Sequence, residues 1–244
     1  MSSFDLLHPA LQHHIVNSLG WRELRPFQEA VIPQILAGKH LIVLAPTAGG
    51  KTEAAFFPVV SRMLTEEWNG LSVLYICPIK ALLNNLDVRL EGYCRLLGRR
   101  SALWHGDVKP SERKKILREP PDCLLTTPES LEVMLDSPNV DAQRLFGNLQ
   151  VVIIDEIHAF AGDDRGWHLL SAWDFPQPWE ILKRWLTGWL VPARGRATYF
   201  CRLLPVQMLQ MSNWIMSAHS PMQLSSFPDC TVARNDWCLS TVVP

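Results

Sequence analysis

The stretch Ala45-Pro46-Thr47-Ala48-Gly49-Gly50-Lys51-Thr52 follows the apolar run Leu41 to Leu44 and leads into Glu53-Ala54-Ala55-Phe56. The order strand, glycine-rich turn, helix is readable directly, and it is the order of a phosphate-binding loop. Backbone N–H groups in such a turn, with the first turn of a helix behind them, converge on one spot and favour an anion there. Lys51 adds a full positive charge suited to β- and γ-phosphates, and the Thr52 hydroxyl can complete the shell of a Mg²⁺ that bridges them. The general pattern G-x-x-x-x-G-K-[ST] is met from Gly50 onward, with Ala45 in the place of its first glycine.

A second cluster lies about a hundred residues downstream. Val151-Val152-Ile153-Ile154 has the β-branched character of a buried strand, and Asp155-Glu156-Ile157-His158 follows at once. Two adjacent carboxylates at the end of a buried strand are costly unless they meet a cation. A Mg²⁺ held by Thr52 would be that cation. In this arrangement Asp155 holds the metal, directly or through water, and Glu156 orients and deprotonates the water that attacks the γ-phosphate.

The elements that must position these residues follow from periodicity. Loosely helical spacing from Leu6 to Leu19 and a second helix over about Pro26 to Leu36 precede the first strand, and a helix over Glu53 to Leu64 follows the loop, with Pro58 expected to kink it. Val73 to Ile76, Ala102 to Trp104, Leu124 to Thr126 and Val151 to Ile154 read as strands. Lys80 to Leu97, Ser111 to Arg118 and Ser130 to Leu135 read as the helices between them. Alternation of this kind predicts an α/β domain with a mostly parallel sheet and helices on both faces, its ligand crevice at the carboxyl ends of the strands. Beyond Leu170 the texture changes. Six of the ten tryptophans (Trp173, Trp179, Trp185, Trp189, Trp214 and Trp237) fall there, and only Trp179 to Leu190 reads as a helix in an otherwise irregular tail. A segment so rich in tryptophan has to be covered by something to stay in solution.

Composition narrows the function classes. The chain has 244 residues, 48% hydrophobic, with a formal net charge of −1, enough for one large or two small domains and too neutral to coat nucleic acid by bulk charge. A local basic surface remains between Arg89 and Arg118, a run that in most proteins is a solvated helix face. Six cysteines contain no C-x-x-C pair, so neither a zinc site nor a disulfide framework is indicated. The absence of a signal pattern or an apolar run of membrane length leads us to expect a cytoplasmic protein with no membrane partner.

The set of motifs resembles the DEAD/DEAH-box helicases of superfamily two. In order, it comprises Gln28 after Arg25-Pro26-Phe27, the loop Ala45 to Thr52, Pro78-Ile79-Lys80-Ala81-Leu82, Thr126-Thr127-Pro128-Glu129-Ser130-Leu131, and Asp155 to His158. The texture of Trp104-His105-Gly106-Asp107 and Asp164-Arg165-Gly166-Trp167-His168-Leu169 is most like the large-helicase-related (Lhr-type) branch. The resemblance covers about Leu6 to Leu170. It implies a RecA-like P-loop domain over residues 1–170 that binds ATP with Mg²⁺ and grips single-stranded DNA or RNA. It further implies that Gln28 reads the adenine edge with Trp21 nearby, and that His158 couples nucleotide state to strand grip. Pro78, Lys80, Thr127, Pro128 and Glu129 would lie where the nucleic-acid backbone is held, by helix N-termini and hydroxyls that read no base.

Departures from the family pattern are as informative. Where relatives continue into a strand bearing Ser-Ala-Thr, Ser171-Ala172 is followed here by Trp173, and Pro178 to Gly188 resembles what ordinarily comes after, as though a segment were deleted. Residues 171–190 therefore read as a partial remnant and 191–244 as an unassigned tail, too short for a second RecA-like domain with its arginine fingers. Two readings follow: the ATP-binding domain of a helicase, with another protein supplying a second domain, or a truncated or degenerate non-enzymatic ATP or nucleic-acid binding module.

Overall fold

The computed structural model describes residues 2–45, 49–160, 166 and 168, and the backbone of three strands at 186–192, 231–234 and 239–241. Five strands expected from the sequence are present: β1 (Leu41–Ala45), β2 (Val73–Ile76), β3 (Ser101–Trp104), β4 (Cys123–Thr126) and β5 (Val151–Ile154). Helices alternate with them. After α1 (Pro9–Asn17) and α2 (Pro26–Leu36) come α3 (Lys51–Thr65), α4 (Lys80–Leu96), α5 (Pro110–Arg118), α6 (Pro128–Asp136) and α7 (Ala142–Phe146). α3 runs on through Pro58, which lies inside it and is buried.

All four residues of β2, β4 and β5 are buried, as befits strands covered on two sides. Period-two alternation then sorts their side chains. Val73, Tyr75, Leu125, Val151 and Ile153 join one apolar cluster with α2, α3 and α4, while Leu74, Ile76, Leu124, Val152 and Ile154 join another with α6 and α7. Helices thus lie on both faces. A third cluster ties α1 to α2 and α3 through Leu11, Ile15, Ile32 and Phe57.

The tail differs from its sequence reading. Instead of continuing a helix from Trp179 to Leu190, residues Leu186–Pro192 form β6, and Thr231–Arg234 and Leu239–Thr241 form β7 and β8. The eight strands make one sheet in the order β3-β4-β2-β5-β6-β1-β7-β8, parallel throughout except for the β7 and β8 pair. β6 lies between the strand of the glycine loop and the strand of the two carboxylates, pairing Ala45 with Pro192 and Ile154 with Trp189. The physical reason is the open ladder of β1 and β5, whose backbone groups need partners. Leu186, Trp189, Leu190 and Val191 suit a pleated buried surface as well as a helix, so pairing decides. Residues 171–185, where the departure from Ser-Ala-Thr was read, and Trp214 and Trp237 lie outside the described residues.

Candidate nucleotide site

The carboxyl ends of β1 and β5 open onto a cavity of about 540 Å³, lined among others by Trp21, Gln28, Gly50, Lys51, Asp155 and Glu156. Motifs separated by more than a hundred residues converge there. Gly49, Thr52 and Glu53 lie in the same wall; Pro46, Thr47 and Ala48 lie outside the described residues.

Gly50 caps α3 with φ of +85°, a left-handed conformation that glycine adopts without steric cost. A Cβ at this position would also come within 2.6 Å of the Gln28 side-chain nitrogen. That close approach has a purpose. The Gln28 amide is only 1% exposed; it donates to the Gly50 carbonyl at 3.1 Å and accepts from the Arg25 N–H at 3.0 Å. Gln28 therefore closes the N-terminus of α2 from the third helical position, as in a capping box, and still has one N–H and one lone pair to offer. Trp21 lines the same cavity with its ring tilted on Phe57, 5.6 Å between centroids.

Lys51 opens α3 and is 7% exposed, with Nζ donating to the Ala45 carbonyl at 3.1 Å. Asp155 lies just past β5, and its N–H continues the ladder by donating to the Ile76 carbonyl at 2.8 Å. Each oxygen of its carboxylate accepts one hydrogen bond, Oδ2 from the Tyr75 hydroxyl at 2.8 Å and Oδ1 from the Glu156 N–H at 2.9 Å, which leaves lone pairs for a cation. Burial pushes the Asp155 carboxyl above its ordinary range, the Glu156 charge adds to that, and the Tyr75 hydrogen bond and Lys51 work against it. Glu156 itself has φ of +50°. A left-handed glutamate is a strained residue, of the kind that clusters at functional sites. Cys77, at the end of β2, is pushed up by burial to about 12 and is a neutral packing group.

Three residues of the site escaped sequence reading. Glu53, in the first turn of α3 and 4% exposed, accepts from the Tyr93 hydroxyl at 3.0 Å and from the Arg89 guanidinium. Arg89 also lines the cavity. Spacing of Arg89 and Tyr93 by four residues on α4 puts both on one helix face, a signal that becomes legible once α3 is known to lie opposite. Tyr75 was read only as part of a strand.

Farther along the same sheet edge the second group of expected residues comes together. β2 and β4 are in register at Ile76 and Thr126, so the segments leading into α4 and α6 leave the sheet from neighbouring strand ends. Pro78 is buried just before α4, and Lys80 begins it. Thr127 caps α6, its hydroxyl accepting from the Ser130 N–H at 3.4 Å, and Pro128 and Glu129 form the first turn. Trp104-His105-Gly106-Asp107 lies next to them: Lys80 Nζ donates to both Asp107 oxygens, at 2.9 and 3.0 Å. The basic run splits. Arg99 is tied to Trp68, Met63 and Asp122 and Arg113 to the His105 and Gly106 carbonyls, whereas Lys109, Lys114, Lys115 and Arg118 are exposed. His158 lies in the short helical turn Ile157–Phe160, and its side chain is outside the described residues.

A parallel sheet with a glycine-rich loop, a lysine and a hydroxyl on one strand end and paired carboxylates on another defines a phosphate-loop nucleotide-binding domain. The family model for DEAD/DEAH box helicases matches residues 25–180, and the chain belongs to that family. It is 39% identical over 173 residues to the Lhr helicase/uracil glycosylase of Escherichia coli, covering 60% of this chain and 11% of that protein. To the Lhr helicase/probable uracil glycosylase of Mycolicibacterium smegmatis it is 37% identical over 159 residues, covering 59% and 10%. The chain thus spans about a tenth of the length of these two relatives. Among solved structures, Mycobacterium smegmatis helicase Lhr bound to ssDNA and AMP-PNP superposes with a TM-score of 0.67 at 25% identity, over 96% of this chain and 28% of that one. The RNA helicase Prp28 from Chaetomium thermophilum bound to ADP shares the fold, with a TM-score of 0.63 at 24% identity over 76% and 43%. The expected RecA-like helicase fold is the one observed. Among the described residues no helix is long and apolar enough to cross a membrane.

Proposed function

We propose that this chain is the ATP-binding part of a nucleic-acid helicase, with residues 1–170 as its first RecA-like domain. The observation that carries this reading is the convergence of Gln28, Gly50, Lys51, Thr52, Asp155 and Glu156 on one cavity. Lys51 receives the β- and γ-phosphates of ATP, and the free N–H and lone pair of Gln28 face the adenine edge beside Trp21. Thr52 and Asp155 provide an oxygen-only donor pair, which suits a hard divalent cation that takes the rest of its shell from phosphate and water. When bound, Mg²⁺ supplies charge neutralisation between the phosphates. Glu156 accepts the proton of the attacking water, and its strained backbone aims the carboxylate.

The ends of β2 and β4 hold the second ligand. Lys80, Thr127 and the N-termini of α4 and α6 suit a phosphate backbone, and family membership together with the ssDNA in the mycobacterial Lhr structure supports single-stranded DNA or RNA as that ligand. A protein bringing a second RecA-like domain, and a cytoplasmic setting, belong to the same reading. The test is ATP turnover of the purified chain with and without single-stranded DNA and RNA. We expect low turnover, because an arginine finger from a second domain is typically worth ~10³ to 10⁵ in rate. Glu156→Gln should lower that turnover a further ~10² to 10⁴ with nucleotide binding kept. Turnover indifferent to Glu156→Gln would remove the assignment.

A further inference from the structure

Tyr75 has no part in the motifs that identify the site, yet its hydroxyl is bonded to one of the two side chains assigned to the metal. It is fully buried, 0% exposed, in the middle of β2. β2 and β5 pair Tyr75 with Ile153. Asp155, two residues on, is therefore on the same face and diagonal to Tyr75, a separation that an aromatic side chain spans. The Tyr75 hydroxyl donates to Asp155 Oδ2 at 2.8 Å. Packing alone does not call for that hydroxyl, since phenylalanine fills the same volume; a buried phenol needs a partner, and Asp155 is that partner.

We propose that Tyr75 is a positioning residue for the divalent cation, its buried hydroxyl donating to Asp155 so that this metal-holding carboxylate is oriented before the metal arrives. Asp155, held on one oxygen by Tyr75 and on the other by the Glu156 N–H, is fixed in rotation. The hydrogen bonds thus tie β2 to the carboxylate that follows β5. This inference rests on the assignment of Thr52 and Asp155 above.

The experiment titrates MgCl₂ against binding of a fluorescent ADP derivative to the 244-residue chain, with a parallel measurement in EDTA. Tyr75→Phe should leave binding in EDTA within about 2-fold of wild type and raise the half-saturating Mg²⁺ roughly 10- to 100-fold, the range seen for outer-shell partners of metal ligands. In an Asp155→Asn background the same change should add little, because residues acting as one unit are not additive. An unchanged Mg²⁺ requirement in Tyr75→Phe, with Thr52→Ala and Asp155→Asn both shifted, overturns the role of Tyr75 and leaves the metal pair standing. No Mg²⁺ dependence in wild type, or none lost in Thr52→Ala, overturns the metal pair itself. Loss of fold or of EDTA binding in Tyr75→Phe overturns the proposal too, since it would place the hydroxyl in the service of the core.

Discussion

The two ends of one sheet edge are built differently. At β1, β5 and β2 the polar groups are mostly buried and tied to one another: Gln28 to Gly50, Lys51 to Ala45, Tyr75 to Asp155 and Glu53 to Tyr93. At β2, β4 and β3 the principal ion pair, Lys80 to Asp107, leaves the two side chains 47% and 70% exposed. Low local dielectric makes the first network strong when complete and costly when broken. Water and salt screen the second, and such exposed pairs contribute little. A nucleotide pocket of the first kind is pre-shaped. On the proposed function the outer surface is exchangeable: phosphates of a polyanion would replace Asp107 on Lys80.

Breaking the buried end should give the largest effect. Lys51→Ala removes charge-assisted hydrogen bonds worth roughly 1.5–3 kcal/mol each, so nucleotide affinity by calorimetry should fall about 10- to 100-fold, with little change when NaCl is raised. Gly50→Ala comes next. It forces alanine into a left-handed conformation at a cost of about 1–2 kcal/mol and drives a methyl group against the Gln28 amide. Thermal stability and nucleotide affinity should therefore drop together, while single-strand binding in the absence of nucleotide is kept.

The exposed end should respond to salt. Lys80→Ala is expected to weaken single-strand binding severalfold and to reduce the slope of log affinity against log salt by about 0.7, the contribution of one phosphate contact. Equal slopes for wild type and variant, measured by fluorescence anisotropy, would mean that Lys80 never leaves Asp107. The smallest effect is the pH response of His105. Burial holds its imidazole below the ordinary value, with Asp107 opposing and Lys80 and Arg113 assisting. The folded chain then binds fewer protons than the unfolded one between that lowered value and 6.5, so stability is present above this window and lost as pH falls through it. His105 Nε2 lies 3.0 Å from Asn84 Oδ1, and denaturant melts across the window should be flatter in His105→Asn, which keeps a partner for Asn84.

What could be read from residues alone was whatever depends on local order. Strand, glycine turn, Lys51 and Thr52 form a continuous segment, and so do β5, Asp155 and Glu156; a buried strand ending in charge states its own need for a cation. The five strands from β1 to β5 were legible because their apolar runs are short, β-rich and bounded by turn residues. β6 was not. Leu186 to Pro192 fits helix and strand alike, and its conformation follows from the unpaired ladders of β1 and β5, which no local pattern contains. The double duty of Gln28, as helix cap and as cavity wall, needed Gly50 brought against it by the fold. Tyr75 shows the limit most plainly. Its type and burial were written in the chain, but only parallel pairing of β2 with β5 set its one hydroxyl against Asp155; such a bond joins residues 80 positions apart, and sequence spacing carries no information across that distance.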